Sequence, residues 1–387
     1  MRGALLGDGT LARVAEIVND VRERGDAAVL DWTERLDGAR PDNLRVPGEE
    51  LESARLDPDA LDAVRLLASA VGEFHAAQRP PDTVVSAFPG VEVERRFRPL
   101  GSVGLYVPGG RSPYPSSLVM TAVPAQVAGV ERIVVVTPRP APAVLAAAHE
   151  LGLDEVYAAG GAQAIAALAY GTETIPRVDK IVGPGNRWVT AAKLLVSGHV
   201  AIDLPAGPSE VLVVADETAD ADLCAADLLA QAEHGADGES VLVTTSAALA
   251  GRVQASVNGS SQVRVELVRT LDEALARADE YAPEHLQLLV ADPESAAARI
   301  ANAGTVFLGP EAPAALGDYA AGANHVLPTG GLARGAGGLG LETFLKPIQY
   351  VRATREGLDG VRPIVAALAR IENLPLHAAA VERRFAR

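Results

Sequence analysis

From residue 101 onward the chain alternates short, β-branched apolar runs with Ala-rich stretches of helical length, and this rhythm limits the fold more than any other feature. Strands are expected at Val103–Val107, Arg132–Thr137, Glu155–Ala158 and Asp179–Val182. Helices are expected at Ser117–Val127, Ala141–Leu151, Ala162–Tyr170 and Arg187–Val196. Runs that are apolar at nearly every position suit strands buried on both faces, and βαβα order then predicts a parallel sheet covered by helices. The pattern restarts at Glu210–Ala215, followed by a helix from Ala219 to about His234 and strands at Ser240–Thr244, Val263–Val268, Leu286–Val290 and Thr305–Leu308. The expected class is α/β, with two Rossmann-like parallel-sheet domains, N-terminal helices and a small C-terminal helical tail.

The boundaries follow from the same pattern. Residues 1–100 read as helices and then irregular chain, packing on the second α/β domain. Val14, Ile17, Val18 and Val21 mark a first helix; Asp57 caps another over Pro58–Gln78. Residues 101–208 and 209–340 are the two α/β domains. Residues 341–387 hold two short helices, near Ile364–Ile371 and Leu376–Arg383. That tail is too small for its own core, so it is expected to dock elsewhere, such as on a partner chain.

Composition removes several function classes. The 34 Lys+Arg against 50 Asp+Glu leave a net charge of −16, which argues against nucleic-acid or anionic-membrane surfaces. The single cysteine, Cys224, excludes an intrachain disulfide and a Cys-rich zinc finger. A tightly held metal would need mainly His, carboxylate or amide ligands. The uncharged stretch Ser112–Val130 contains Pro113, Pro115, Pro124 and Gln126, a poor membrane span, and the opening residues lack a signal-peptide core. A cytoplasmic protein is expected.

Groups able to do chemistry are scattered. No G-x-G-x-x-G follows a strand. Gly183-Pro184-Gly185-Asn186 and Gly160-Gly161-Ala162-Gln163 instead lie between a strand and a helix, where backbone N–H groups can face an anion or a flat ligand. The same residues also make ordinary βα turns with an Asn cap. Gln231 and His234, three apart, share a helix face; both types can bind zinc, or they simply end a solvated helix. Glu284-His285, stiffened by Pro283, suits a general base beside a water-activating carboxylate, or a surface turn. Asp318 in a Gly-rich stretch is a hard metal ligand, a substrate anchor or a turn former. His325 suits a structural hydrogen bond, and His75, His149 and His199 structural or solvent-facing places. Taken alone, Glu372 and His377 are surface residues of the tail. No nucleophile elbow, H-E-x-x-H or Walker loop occurs.

Together and in order, these segments resemble one family. The blocks are Gly101–Gly110, Tyr114–Ser117, Gly160–Ala166, Val182–Asn186, Ala206–Glu210, Gln231–His234, Ala282–Leu286, Gly317–Tyr319 and Asn324–Gly331. They resemble histidinol dehydrogenase, over nearly the whole chain. The resemblance implies NAD-dependent, four-electron oxidation of L-histidinol to L-histidine through an aldehyde, the last step of histidine biosynthesis. It implies one zinc per site, on Gln231, His234, Asp318 and His377. Glu284 and His285 would be the acid/base pair; Ser209 and Glu372, with the metal ligands and His285, would contact substrate. Tyr106, Gln163 and Asn186 would contact NAD, making 101–208 the NAD side and 209–340 the metal and catalytic side. A homodimer is implied, with the tail carrying Glu372 and His377 into the neighbouring site. The alternative is a zinc-dependent dehydrogenase of another alcohol on the same scaffold.

Overall fold

Gly25, with φ +58°, turns the chain sharply between α1 (Thr10–Arg24) and α2 (Asp26–Asp37). A short α3 (Gly48–Ser53) follows, then α4 (Pro58–Ala76), whose Asp57 cap accepts the Ala60 N–H at 3.0 Å. The chain is described here by a computed structural model covering residues 9–386, apart from 110, 111, 234, 236, 237 and 258. Residues 79–99, expected to be irregular, contain an antiparallel hairpin of β1 (Thr83–Phe88) and β2 (Val91–Pro99).

Two parallel sheets then form as the rhythm predicts. The first runs β3 (Ser102–Tyr106), α5 (Pro115–Ala128), β4 (Arg132–Thr137), α6 (Pro142–Glu150), β5 (Val156–Ala158), α7 (Gly161–Tyr170), β6 (Lys180–Val182), α8 (Arg187–Val196) and β7 (Ala201–Ile202). The second runs β8 (Glu210–Ala215), α9 (Ala221–Ala232), β9 (Glu239–Thr244), α10 (Ala247–Ser256), β10 (Val263–Leu267), α11 (Leu271–Tyr281), β11 (His285–Leu289), α12 (Pro293–Ala297) and β12 (Thr305–Leu308). The strand orders are β5-β4-β3-β6-β7 and β10-β9-β8-β11-β12. In each the third, second, first, fourth and fifth strands lie side by side, the doubly wound arrangement. Strand order reverses between β3 and β6, and again between β8 and β11. Residues 203–209 join β7 to β8, so the carboxyl edge of the first sheet runs directly into the amino edge of the second. Thr190 Oγ1 donates to the Ala206 carbonyl at 2.5 Å and Thr329 Oγ1 accepts the Gly207 N–H, which fix this link. Beyond β12 come α13 (Ala314–Tyr319) and a Gly-rich stretch.

The N-terminal helices correct one expectation. They lie chiefly on the first sheet's helices, α1 on α7 and α8, α2 on α7 and α4 on α5, while α4 also reaches the Gly-rich stretch beyond β12, where His75 Nε2 is 3.4 Å from Asn324 Nδ2. The reason is in α7, where every residue from Ala162 to Ala169 is buried. A helix apolar all round needs cover on its outer side as well as from the sheet. The stripe Val14, Ile17, Val18 and Val21 supplies it, in one core with Ile165, Leu168 and Val189.

Contacts divide the chain into two units, Met1–Gln78 with Leu100–Phe344, and Arg79–Pro99 with Leu345–Arg387. The second unit corrects the tail. It contains a strand, β13 (Leu345–Ala353), paired antiparallel with β2 over nine residues, before α14 (Arg355–Ile371) and α15 (Pro375–Glu382). Charged cross-strand contacts hold this sheet: Arg352 reaches Glu92 at 3.0 Å and Glu94 at 2.7 Å. Arg96, and after it Arg352, hold the Glu94 carboxyl down at about 2.

Candidate active site

The amino edge of the second sheet gathers most of the expected chemistry. β8 opens with Glu210 and β11 with His285, beside the point where strand order reverses. Ala282, left-handed at φ +50°, ends α11 and turns Pro283-Glu284 into β11. The Gly304 and Thr305 N–H groups donate to the Pro283 and Glu284 carbonyls, both at 2.9 Å. A β-carbon on Gly304 would fall 2.5 Å from the Glu284 carbonyl oxygen, so this approach requires glycine.

Glu284 is 5% exposed, and its Oε2 accepts the Glu210 N–H at 2.8 Å. Burial pushes its carboxyl well above the usual carboxylate range. The charges of Glu210 and Asp318 push the same way, while the Glu210 N–H and the Ser209 hydroxyl oppose. Glu210, also buried, accepts the Gly330 N–H on Oε1 at 2.8 Å. His285 is buried, with its ring edge-on to Phe307 at 5.8 Å. Phe307 in turn occupies the space that a side chain on Gly317 would take, which seats α13 against it.

Asp318 therefore stands on the same side of the sheet as α9, and α9 and α13 touch. Glu233, just past α9, lies near enough for its charge to act on Tyr319. In the last turn of α9, Gln231 is 5% exposed, and its Nε2 has no hydrogen-bond partner among the described residues. His325 holds Asp318 from behind: its Nδ1 is 3.8 Å from the carboxylate and its Nε2 is 3.2 Å from Ser117 Oγ, the structural role expected of it. His75 is fully buried with Nδ1 2.7 Å from the Val71 carbonyl.

His234 lies outside the described residues, and among the described residues no three His, Cys, Asp or Glu side chains form a ligand set. A cation nevertheless fits this edge. The charges of Glu210 and Asp318 both act on Glu284, and α9 and α11 point their carboxyl ends here, so the edge is negative and suits a positive ion. Glu372 and His377 belong to the second unit, Glu372 at the carboxyl end of α14 and His377 on α15, both exposed.

The carboxyl edge of the first sheet is arranged differently. Tyr106, the last residue of β3, accepts the Gly161 N–H on its hydroxyl at 3.2 Å. Burial pushes this phenol up to about 12. Gln163, fully buried, donates from Nε2 to Thr33 Oγ1 at 3.4 Å, and its Oε1 has no partner among the described residues. Asn186 is exposed and caps α8, its Oδ1 accepting the Trp188 and Val189 N–H groups at 3.0 and 3.2 Å. Gly161 and Gly183 have φ of +60° and +115°, so both turns use backbone that side chains disfavour. Two helix N-termini thus open at one edge, a setting that fits the phosphates of a dinucleotide.

Glu210 was not anticipated as a site residue. The available signal was an acid opening an otherwise wholly apolar strand, Glu210-Val211-Leu212-Val213-Val214-Ala215.

Two doubly wound sheets, one offering helix N-termini and the other a buried acid–imidazole–amide group, define an α/β enzyme of the nucleotide-binding type. The family model described as histidinol dehydrogenase matches residues 4–385. A histidinol dehydrogenase of Parasynechococcus marenigrum is 47% identical, over 96% of this chain and 90% of that protein. One from Methanothermobacter thermautotrophicus is 47% identical over 99% and 95%. The crystal structure of histidinol dehydrogenase from Elizabethkingia anophelis matches with a TM-score of 0.94 at 37% identity, covering 100% of this chain and 94% of that one. The chain belongs to the histidinol dehydrogenase family.

Proposed function

We propose that this protein oxidises L-histidinol to L-histidine by way of histidinal, in two successive two-electron steps, as the last reaction of histidine biosynthesis. NAD held at the carboxyl edge of the first sheet would supply the hydride acceptor for each of the two steps. His285 takes the hydroxyl proton as the carbinol carbon gives up its hydride. Glu284 then takes a proton from the water that adds to the aldehyde, and the hydrate loses the second hydride. A carboxyl that burial has made more basic is well suited to that role. Zinc, held by Gln231, His234, Asp318 and His377, would fix the imidazole-bearing substrate as a template. Ser209 and Glu372 complete the substrate contacts, and Tyr106, Gln163 and Asn186 shape the cofactor's edge. What supports this reading is that the charges of Asp318 and Glu210 act on Glu284 at one sheet edge, where α13 also touches α9, the helix that carries Gln231.

The division of labour is 101–208 for NAD and 209–340 for metal and catalysis, with 341–387 serving dimerisation. In the dimer, Glu372 and His377 of each copy complete the other's site. Its support is the exposed apolar stripe Ile364, Leu368, Ile371, Leu374 and Leu376, a surface that calls for cover. The enzyme works in the cytoplasm; among the described residues no helix is long and apolar enough to cross a membrane.

Zinc-replete protein given L-histidinol and NAD should form two reduced cofactors and one histidine per histidinol. Turnover of a different alcohol but not of histidinol would move the assignment to a sister dehydrogenase, and absence of any redox would overturn it.

A further inference from the structure

Lys193 and Asp203 form an ion pair with Nζ 2.6 Å from Oδ1 and each side chain only 3% exposed. Neither takes part in the chemistry above. Burying two charges costs desolvation, and apolar side chains of similar volume often stabilise a core as well or better. The pair therefore calls for a purpose besides stability.

Its remaining hydrogen bonds converge on one glycine. Asp203 Oδ2 accepts the Gly183 N–H at 2.7 Å, and Lys193 Nζ donates to the Gly183 carbonyl at 2.5 Å. Both peptide groups of Gly183 are thus gripped. Gly183 directly follows β6, where strand order reverses, and a β-carbon on it would fall 2.2 Å from the Tyr106 carbonyl oxygen. Pro184 comes next, with its φ fixed and no N–H. Gly185 lies against Val189, where a β-carbon would meet Cγ1 at 2.4 Å. The turn ends at exposed Asn186, which uses its oxygen to cap α8. Tyr106 links both glycine turns, its backbone beside Gly183 and its hydroxyl under Gly161.

We propose that Lys193 and Asp203 are positioning residues for the dinucleotide. By gripping Gly183 they hold the 183–186 turn, and with it Asn186 and the start of α8, in the crevice where NAD binds. The inference rests on the reading that NAD occupies this edge. A preformed turn lowers the ordering cost that the ligand would otherwise bear. Loosening it weakens cofactor binding and leaves the acid–imidazole edge untouched.

The test is the double variant Lys193→Met/Asp203→Asn, because removing one partner leaves a lone buried charge. NAD and histidinol are varied separately in steady state, and NADH binding is followed by energy transfer from tryptophan. KM for NAD and Kd for NADH should each rise about tenfold, about 1.4 kcal/mol. KM for histidinol, zinc content and kcat at saturating NAD should stay at wild-type values. Wild-type NADH affinity in the folded double variant overturns the proposal. So does a parallel rise in both KM values with a fall in Tm, the mark of a merely structural pair. Should the double variant not fold, Lys193→Arg decides: it keeps the charge but changes the geometry at the Gly183 carbonyl. An NAD-selective rise of about threefold sustains the proposal, about 0.65 kcal/mol by the same conversion, and no rise overturns it. Wild-type protein that reduces no NAD with histidinol overturns the functional reading instead, while NADH binding still reports on the clamp.

Discussion

The two sheets share one strand order yet present opposite ends to chemistry. In the first, the edge we assign to NAD is the carboxyl edge, where α7 and α8 begin and their N-termini supply positive potential. In the second, the edge we assign to the metal and the acid/base pair is the amino edge, where α9 and α11 end and their carboxyl termini add negative potential to Glu210, Glu284 and Asp318. One fold used twice therefore gives an edge suited to phosphate and an edge suited to a cation. Strand order alone does not say which edge will work; the polar residues at the strand ends do.

If the edges are chemically separate, variants should separate too. His285→Asn should slow the first oxidation by roughly 10²–10⁴-fold, the usual range for a lost general base, with NADH binding unchanged. Glu284→Gln should mainly impair oxidation of supplied histidinal, and equal loss in both steps would refute the division of roles. Next in size, Gln231→Ala or Asp318→Ala should weaken zinc retention in chelator competition by more than the roughly 10–100-fold that follows loss of a ligand's supporting hydrogen bond. A fall in NADH affinity of the same size would break the comparison. On the opposite edge, Tyr106→Phe removes the acceptor for the Gly161 N–H, worth about 1 kcal/mol, so KM for NAD should rise about fivefold while that for histidinol holds.

The smallest effect is a pH slope to which Glu284 contributes at the second edge. The fold raises the Glu284 carboxyl above its ordinary 4.5, so folded protein holds this proton more tightly than unfolded chain. The stability it contributes is full below 4.5 and is lost as pH climbs through the folded value. Zinc-free protein should therefore melt at lower temperature as pH is raised through this window, and Glu284→Gln should flatten the slope. Asp37 and Asp227, raised by burial as well, leave a residual slope in that variant.

Much of this was legible because apolar periodicity is local. The strands and helices of both sheets follow it, as does the Asp57 cap. The hairpin at 83–99 did not announce itself, because β2 carries Arg95, Arg96 and Arg98 within its run. Its partner β13 contains Pro347, which an edge strand tolerates but which argues against a strand when only sequence is seen. The residues that hold the site were harder still. Glu210 meets Glu284 across 74 positions, and Lys193 meets Asp203 and Gly183 from one helix and two strand ends. No spacing rule connects such groups. Likewise the seating of α1 depended on the outer face of α7, which is unremarkable until both of its sides are seen to be covered.

The seven residues 203–209 also set a ruler between the two edges. At about 3.3–3.6 Å per extended residue the span from Ile202 to Glu210 can separate them by no more than roughly 29 Å, and one inserted residue could shift one edge by about a full hydride-transfer distance. Surface connections usually absorb insertions without consequence. This one should be the least tolerant of length change in the chain, so a lineage altering substrate size would have to remodel other loops and leave this span alone.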